Sequence, residues 1–106
     1  MNKEQRLKKQ ELSNIVFTQD IIKTNPETVK RIILKLYEHH KLSRQEYCVF
    51  LMRHGLMGNM SKTQSFSQIA NSYGTTEEEI LITYNSALKL VSKNLIETAF
   101  NLELAR

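Results

Sequence analysis

The stretch from Ser65 to Val91, SFSQIANSYGTTEEEILITYNSALKLV, leaves the chain least freedom. Its residue pattern predicts two helices joined by a tight turn. Ser65 is placed to cap the first helix, and Gln68, three residues on, closes a capping box. Phe66, Ile69, Ala70 and Tyr73 then recur at helical spacing. Gly74 ends that helix, because only a residue without a Cβ enters the left-handed region at no steric cost. Thr76 restarts the chain as a second cap, with Glu79 three residues later in a second box. Ala70 is small enough for two helix backbones to approach closely, and Ile80 sits where it would fill the angle between them. Small, glycine and branched apolar at these offsets describe a helix-turn-helix. A plain helical hairpin with a glycine turn satisfies the same pattern.

The remainder reads as helix too. Residues 3–24 predict a helix with a stripe of Leu12, Ile15, Val16, Gln19 and Ile22, widened by Phe17 and Ile21. Lys3, Arg6, Lys8 and Lys9 at its start form either a basic arm for phosphates or a solvated, frayed end. Asn25-Pro26-Glu27 is a boundary. Proline suits the first position of a helix, here capped by Asn25. That helix runs to about His40, with Val29, Ile32, Ile33, Leu36 and Tyr37 inward. Lys30, Arg31, Lys35 and Lys41 line its other side, as a solvated face or a cationic partner surface. Ser43 and Glu46 make a third capping box, opening a helix that Gly55 ends after His54. Tyr47, Phe50, Leu51 and His54 share one of its faces. A loop with Gly58, Asn59 and Ser61 leads to Lys62, placed for a phosphate contact just before Ser65. The last helix carries a core stripe of Ile80, Tyr84, Ala87, Leu88, Val91 and Leu95, which Ala99 and Leu102 extend toward Arg106. No strand signal or internal repeat competes, and three glycines with one proline argue against sheet turns.

Composition narrows the function. The 106 residues amount to one domain with an added arm, large enough for a core. The formal charge of +4 admits nucleic acid or an acidic protein as partner and compels neither. The whole excess lies in residues 1–41. From residue 42 on, Arg44, Arg53, Lys62, Lys89, Lys93 and Arg106 are matched by six glutamates. A lone cysteine, Cys48, allows no internal disulfide and reads as a packed side chain in a reducing compartment. The basic N-terminus lacks the apolar run of a signal peptide, and no stretch approaches a membrane span. His39 and His40 are adjacent, so a helix points them apart, and no CxxC or HxxxH spacing occurs, so no metal or cofactor is expected. Glu77, Glu78 and Glu79 fan around a helix rather than converge. With no glycine-rich phosphate loop and no nucleophile-and-base arrangement, an enzyme is not expected.

Several motifs occur together. Leu42-Ser-Arg-Gln-Glu46 enters a helix that ends in Arg53-His54-Gly55-Leu56. After a short loop come Ser65-Phe66-Ser67-Gln68-Ile69-Ala70 and the turn Ser72-Tyr73-Gly74-Thr75-Thr76. Ala87-Leu88-Lys89-Leu90-Val91 forms the tail. In this order and spacing they resemble region four, the promoter-recognition domain of vegetative-type bacterial sigma factors, over about half the chain. The resemblance implies packed helices and a partner in bacterial RNA polymerase, with docking on the tip of the polymerase flap.

The departure lies in the second helix of the motif. The family begins that helix "T-R-E-R-[VI]-R-Q-I-E", and its arginines and glutamine face the promoter. Here Glu77, Glu79 and Leu81 stand for the arginines and Ile82 for the glutamine, while Glu78 keeps its type. Arginine reads guanine edges and neutralises phosphates; carboxylates at a helix start suit the dipole and repel DNA. Leu81 and Ile82 would be covered by protein or stand as isolated exposed residues.

The expectation is therefore an all-α protein of about five helices, with a basic two-helix N-terminal extension over 1–41 and a region-four-like helix-turn-helix domain over 42–106. Its scaffold residues would be Ile69, Ala70, Gly74 and Ile80. Lys62, Ser65, Thr76, Glu77, Glu78, Leu81 and Ile82 would face DNA or a protein partner. The expected function is a sigma-like transcription factor or accessory protein, cytoplasmic and bacterial or phage-encoded. It would bind core RNA polymerase, with promoter DNA contact weakened by the acidic second helix. The alternatives are an interaction module that has lost DNA reading, acting on itself or another transcription protein, and a stand-alone helix-turn-helix regulator.

Overall fold

The computed structural model describes residues 15–57 and 62–104. The basic positions at Lys3 to Lys9, Leu12 in the first stripe, and the turn residues Gly58, Asn59 and Ser61 lie outside them, as does the burial expected of Ala99 and Leu102. The described residues form five helices and no strand: α1 over 15–24, α2 Pro26–Glu38, α3 Arg44–Arg53, α4 Phe66–Tyr73 and α5 Glu77–Leu104. The all-α expectation holds, and no helix among these residues is long and apolar enough to cross a membrane.

Helix ends follow local chemistry. Pro26 takes the first turn of α2. Asn25, expected to cap it, makes no side-chain cap bond. Its backbone N–H donates instead to Ile21 O at 2.7 Å, so Asn25 closes α1. α2 stops at Glu38, short of the expected His40, because His40 turns left-handed at φ 58°. That turn lets the N–H of Lys41 reach back to Leu36 O at 2.8 Å. α3 opens with the expected box: Glu46 N–H donates to Ser43 Oγ at 3.1 Å, and Ser43 N–H to Glu46 Oε1 at 2.9 Å.

α5 is the spine, and α2, α3 and α4 all pack on it. One apolar cluster joins Val29, Ile33 and Leu36 of α2, Val49 and Phe50 of α3, and Ile69 and Ala70 of α4 to the α5 stripe Ile80, Tyr84, Ala87, Leu88, Val91 and Leu95. Every residue expected of that stripe up to Leu95 is buried. The same cluster takes in residues from both sides of position 41. Tyr37 and Tyr47 stack with centroids 4.6 Å apart and join α2 to α3.

α1 differs from its expected face. Val16 is 65% exposed and Gln19 is also exposed, whereas Ile15, Phe17, Ile21 and Ile22 pack against the core. At about 100° per residue, the middle of that buried arc is Thr18. Thr18 is fully buried and donates from Oγ1 to Ser92 Oγ on α5 at 2.8 Å. A search for apolar residues passes over a polar pair, and this pair lies at the middle of the buried face of α1. Thr18→Val or Ser92→Ala alone is expected to cost about 1–2 kcal/mol, since the remaining hydroxyl loses a buried partner. The double variant should cost less than the sum of the two, by about 1 kcal/mol in urea unfolding. Strict additivity would show that the hydroxyls act separately.

Candidate functional site

The candidate site is built around the turn between α4 and α5. Ser65 caps α4 in full: Gln68 N–H donates to Ser65 Oγ at 3.1 Å, and Ser65 N–H to Gln68 Oε1 at 2.8 Å. Gly74 ends α4 at φ 65°, ψ 38°. Its N–H reaches Asn71 O at 3.3 Å, and the Thr75 N–H reaches Ala70 O at 3.0 Å. A Cβ built on Gly74 would meet no atom within 4 Å, so glycine is required here by backbone angle and not by crowding. Ile69, Ala70 and Ile80 are buried together at the base of the turn.

α5 restarts at Thr76, whose Oγ1 accepts from Glu79 N–H at 3.2 Å. The second half of the expected box differs: the Glu79 carboxylate takes the hydroxyl of Thr75. Thr75 lies one residue nearer the turn and competes with the Thr76 backbone for the same carboxylate. Glu77 and Glu78 stand exposed in the first turn, where the helix dipole favours negative charge.

Leu81 and Ile82 follow. Ile82 lies about 200° around the helix from the fully buried Ile80. It is 64% exposed and Leu81 42%, among the largest apolar exposures in the described residues. Glu77, Glu78, Leu81 and Ile82 therefore share the outer surface of the first two turns of α5, with Thr76 at their foot. Ser65 stands at the far end of α4, and Lys62 is exposed in the segment leading to it. Tyr73, at helical spacing with Phe66, Ile69 and Ala70, is 40% exposed and lies against Cys48 of α3; burial beside that thiol raises its phenol above the usual range.

Behind this surface lies a cluster that sequence reasoning did not assemble. His54 Nε2 shares a hydrogen bond of 2.8 Å with the Tyr84 hydroxyl. The Phe50 ring lies 4.7 Å from His54 and 5.8 Å from Tyr84, and Phe66 meets Tyr84 edge-on at 5.3 Å. The Arg53 guanidinium covers Phe66 at 4.4 Å and donates to Gln64 O at 3.0 Å. Burial, with the neighbouring Arg53 charge second, lowers the His54 pKa to about 4, so the imidazole is neutral at pH 7. Burial likewise raises the Tyr84 phenol. His54 and Tyr84 each sat on an inward stripe in the sequence; no spacing rule joins residues 30 apart.

This cluster ties the end of α3 and the start of α4 to α5. Among the described residues no group of three His, Cys, Asp or Glu could hold a metal ion. What the surface offers is an apolar pair framed by carboxylates at the start of a helix. Comparison with protein-family models, with curated proteins and with solved structures finds no match.

Proposed function

We propose that the chain is a sigma-like transcription accessory protein that binds bacterial core RNA polymerase and touches promoter DNA only weakly through α5. The observation that carries the reading is Ile82, exposed opposite the buried Ile80 and flanked by Leu81 and the glutamates. A helix face with that chemistry gains from a protein cover and loses against phosphate. The polymerase itself is implied by the region-four resemblance from Leu42 onward. The caps at Ser43 and Ser65, the left-handed Gly74 and the buried Ile80 are compatible with it.

Co-purification with core polymerase tests the proposal. The wild-type chain is expected to recover the enzyme, and Ile82→Asp to recover much less while staying folded. If polymerase is never recovered and Ile82→Asp instead loses another protein, or self-association, the interaction-module reading replaces this one.

The acidic start of α5 gives a second expected result. Changing Glu77 and Glu79 together to Arg should raise affinity for duplex DNA at least about tenfold at low salt, because two repulsive sites become two phosphate contacts. Fluorescence anisotropy measures the change. An unaltered affinity would mean that this face does not lie toward a groove.

A further inference from the structure

Four lysines that are dispersed in the sequence meet on one side of the fold. Lys41, in the turn between α2 and α3, joins Lys89 and Lys93 of α5 around a hollow of about 340 Å³. A second hollow, of about 350 Å³, runs between α2 and α5 and is walled by Lys35, His39 and again Lys41. Lys41 belongs to both, so the two form one groove around it. All four lysines are exposed. The sole ion pair among the described residues is Lys30 with Glu27, so none of the four lysines has a carboxylate within ion-pair distance.

Glu46 is the carboxylate in the first hollow, and it offsets one of the three lysine charges there. It accepts from Ser43 N–H at 2.9 Å and from the Ser86 hydroxyl at 2.7 Å. Glu97, one turn beyond Lys93, is exposed and forms no ion pair with it. Lys89 and Lys93 are four residues apart, where like charges on a helix repel. The fold thus gathers a net excess of positive charge from separate segments around a trough whose walls also carry Ile32, Leu36 and Leu90.

We propose that this groove binds the phosphate backbone of a nucleic acid duplex without reading its sequence. Lysine ammonium groups are compact charges suited to phosphate oxygens and carry no base preference of their own there. An acidic protein fits less well. Lysine is depleted at the centre of protein interfaces, whose anchors are tryptophan, tyrosine and arginine. Neither hollow has a tryptophan, a tyrosine or an arginine in its wall.

The acidic start of α5 does not oppose this. Lys89 lies twelve residues beyond Glu77, about 18 Å along the helix, whereas charges are screened over about 8 Å at physiological salt. The inference also stands apart from the polymerase reading, which concerns the first two turns of α5.

The test is anisotropy with two unrelated duplexes of about 30 base pairs, measured between about 50 and 200 mM KCl. The full chain is expected to bind both alike and to lose roughly 100-fold in affinity over that range, the slope of about four phosphate contacts. The triple variant Lys41→Gln, Lys89→Gln, Lys93→Gln should lose at least tenfold at low salt and flatten the slope by about three contacts. The matching Lys→Arg variant should keep both properties. Circular dichroism checks that each variant is folded. Absence of binding at low salt would overturn the proposal. So would binding that survives the triple variant but disappears when Lys3, Arg6, Lys8 and Lys9 are neutralised, which would place the contact on the N-terminal segment. Lysine-dependent binding of polyglutamate without binding of duplex would overturn it in favour of an acidic protein.

Discussion

Replacing Phe50 with alanine is expected to remove about 3–5 kcal/mol of folding stability. Phe50 is among the largest fully buried side chains, with no exposed surface. It stands at the point where α3 meets α5, with the rings of His54 and Tyr84 against it. Alanine would forfeit the transfer energy of the ring and leave a void that four packed helices cannot close without moving the α5 spine. A domain of this size has about 5–15 kcal/mol in all, so the variant would be close to unfolding. Urea denaturation at pH 7 reads the loss as a lower midpoint at unchanged slope. A loss below about 1 kcal/mol would mean that the junction repacks and that Phe50 is not its keystone. Leu81→Ala, on the exposed start of α5, is the comparison and should stay within about 0.5 kcal/mol.

The second large effect is on pH. His54 has its folded pKa lowered to about 4, from an ordinary value of 6.5, by burial first and by the Arg53 charge second. In the unfolded chain it protonates near the ordinary value. Between these two values the unfolded state binds more protons, so stability rises with pH across that window. The contribution is complete above about pH 6.5, is lost as pH falls toward 4, and changes no further below it. The half-buried position of the ring tempers the magnitude, which is about 2 kcal/mol. His54→Gln keeps a hydrogen-bonding side chain opposite Tyr84 and removes the titration, so its stability should be nearly flat from pH 6.5 to 4.5. If wild type and variant follow the same curve, His54 is not the titrating group. Glu46 acts in a different window. Burial alone would raise its carboxyl, but hydrogen bonds from Ser43 and Ser86 outweigh that and hold it below the usual range. Its stabilisation is present above its ordinary value and is lost only as pH falls below about 4.5.

These two residues show where sequence reading reaches and where it stops. Phe50 on α3 and Ile80 and Val91 on α5 are legible as core because each falls on a repeating apolar face of its own helix. His54 is legible as inward but not as the partner of Tyr84. Thr18 is not legible at all: a hydroxyl in an otherwise apolar arc looks like a surface position until Ser92 is seen opposite. Val16 misleads for the converse reason: its type and its spacing both place it inward, yet it is 65% exposed.

The candidate site divides in the same way. The caps at Ser65 and Thr76 and the turn at Gly74 depend on bonds between residues at most five apart, and the order of residues carries that information. The opposition of Ile80 and Ile82 follows from helix geometry alone. The convergence of Lys35 and Lys41 with Lys89 and Lys93 does not. It requires α2 and α5 to close across about fifty residues, and the sequence shows only a basic half and a neutral one.

By itself, then, the amino-acid order determined the helices, most of their ends, the inward stripe of α5 and the acidic, apolar start of that helix. Hydrogen bonds within a turn and a period of 3.6 residues are local properties. The tertiary structure alone decided the rotation of α1, the His54–Tyr84 pair and the lysine groove. Each depends on which surfaces meet when distant segments pack, a result set by the burial of the whole core and not by any one stretch of chain.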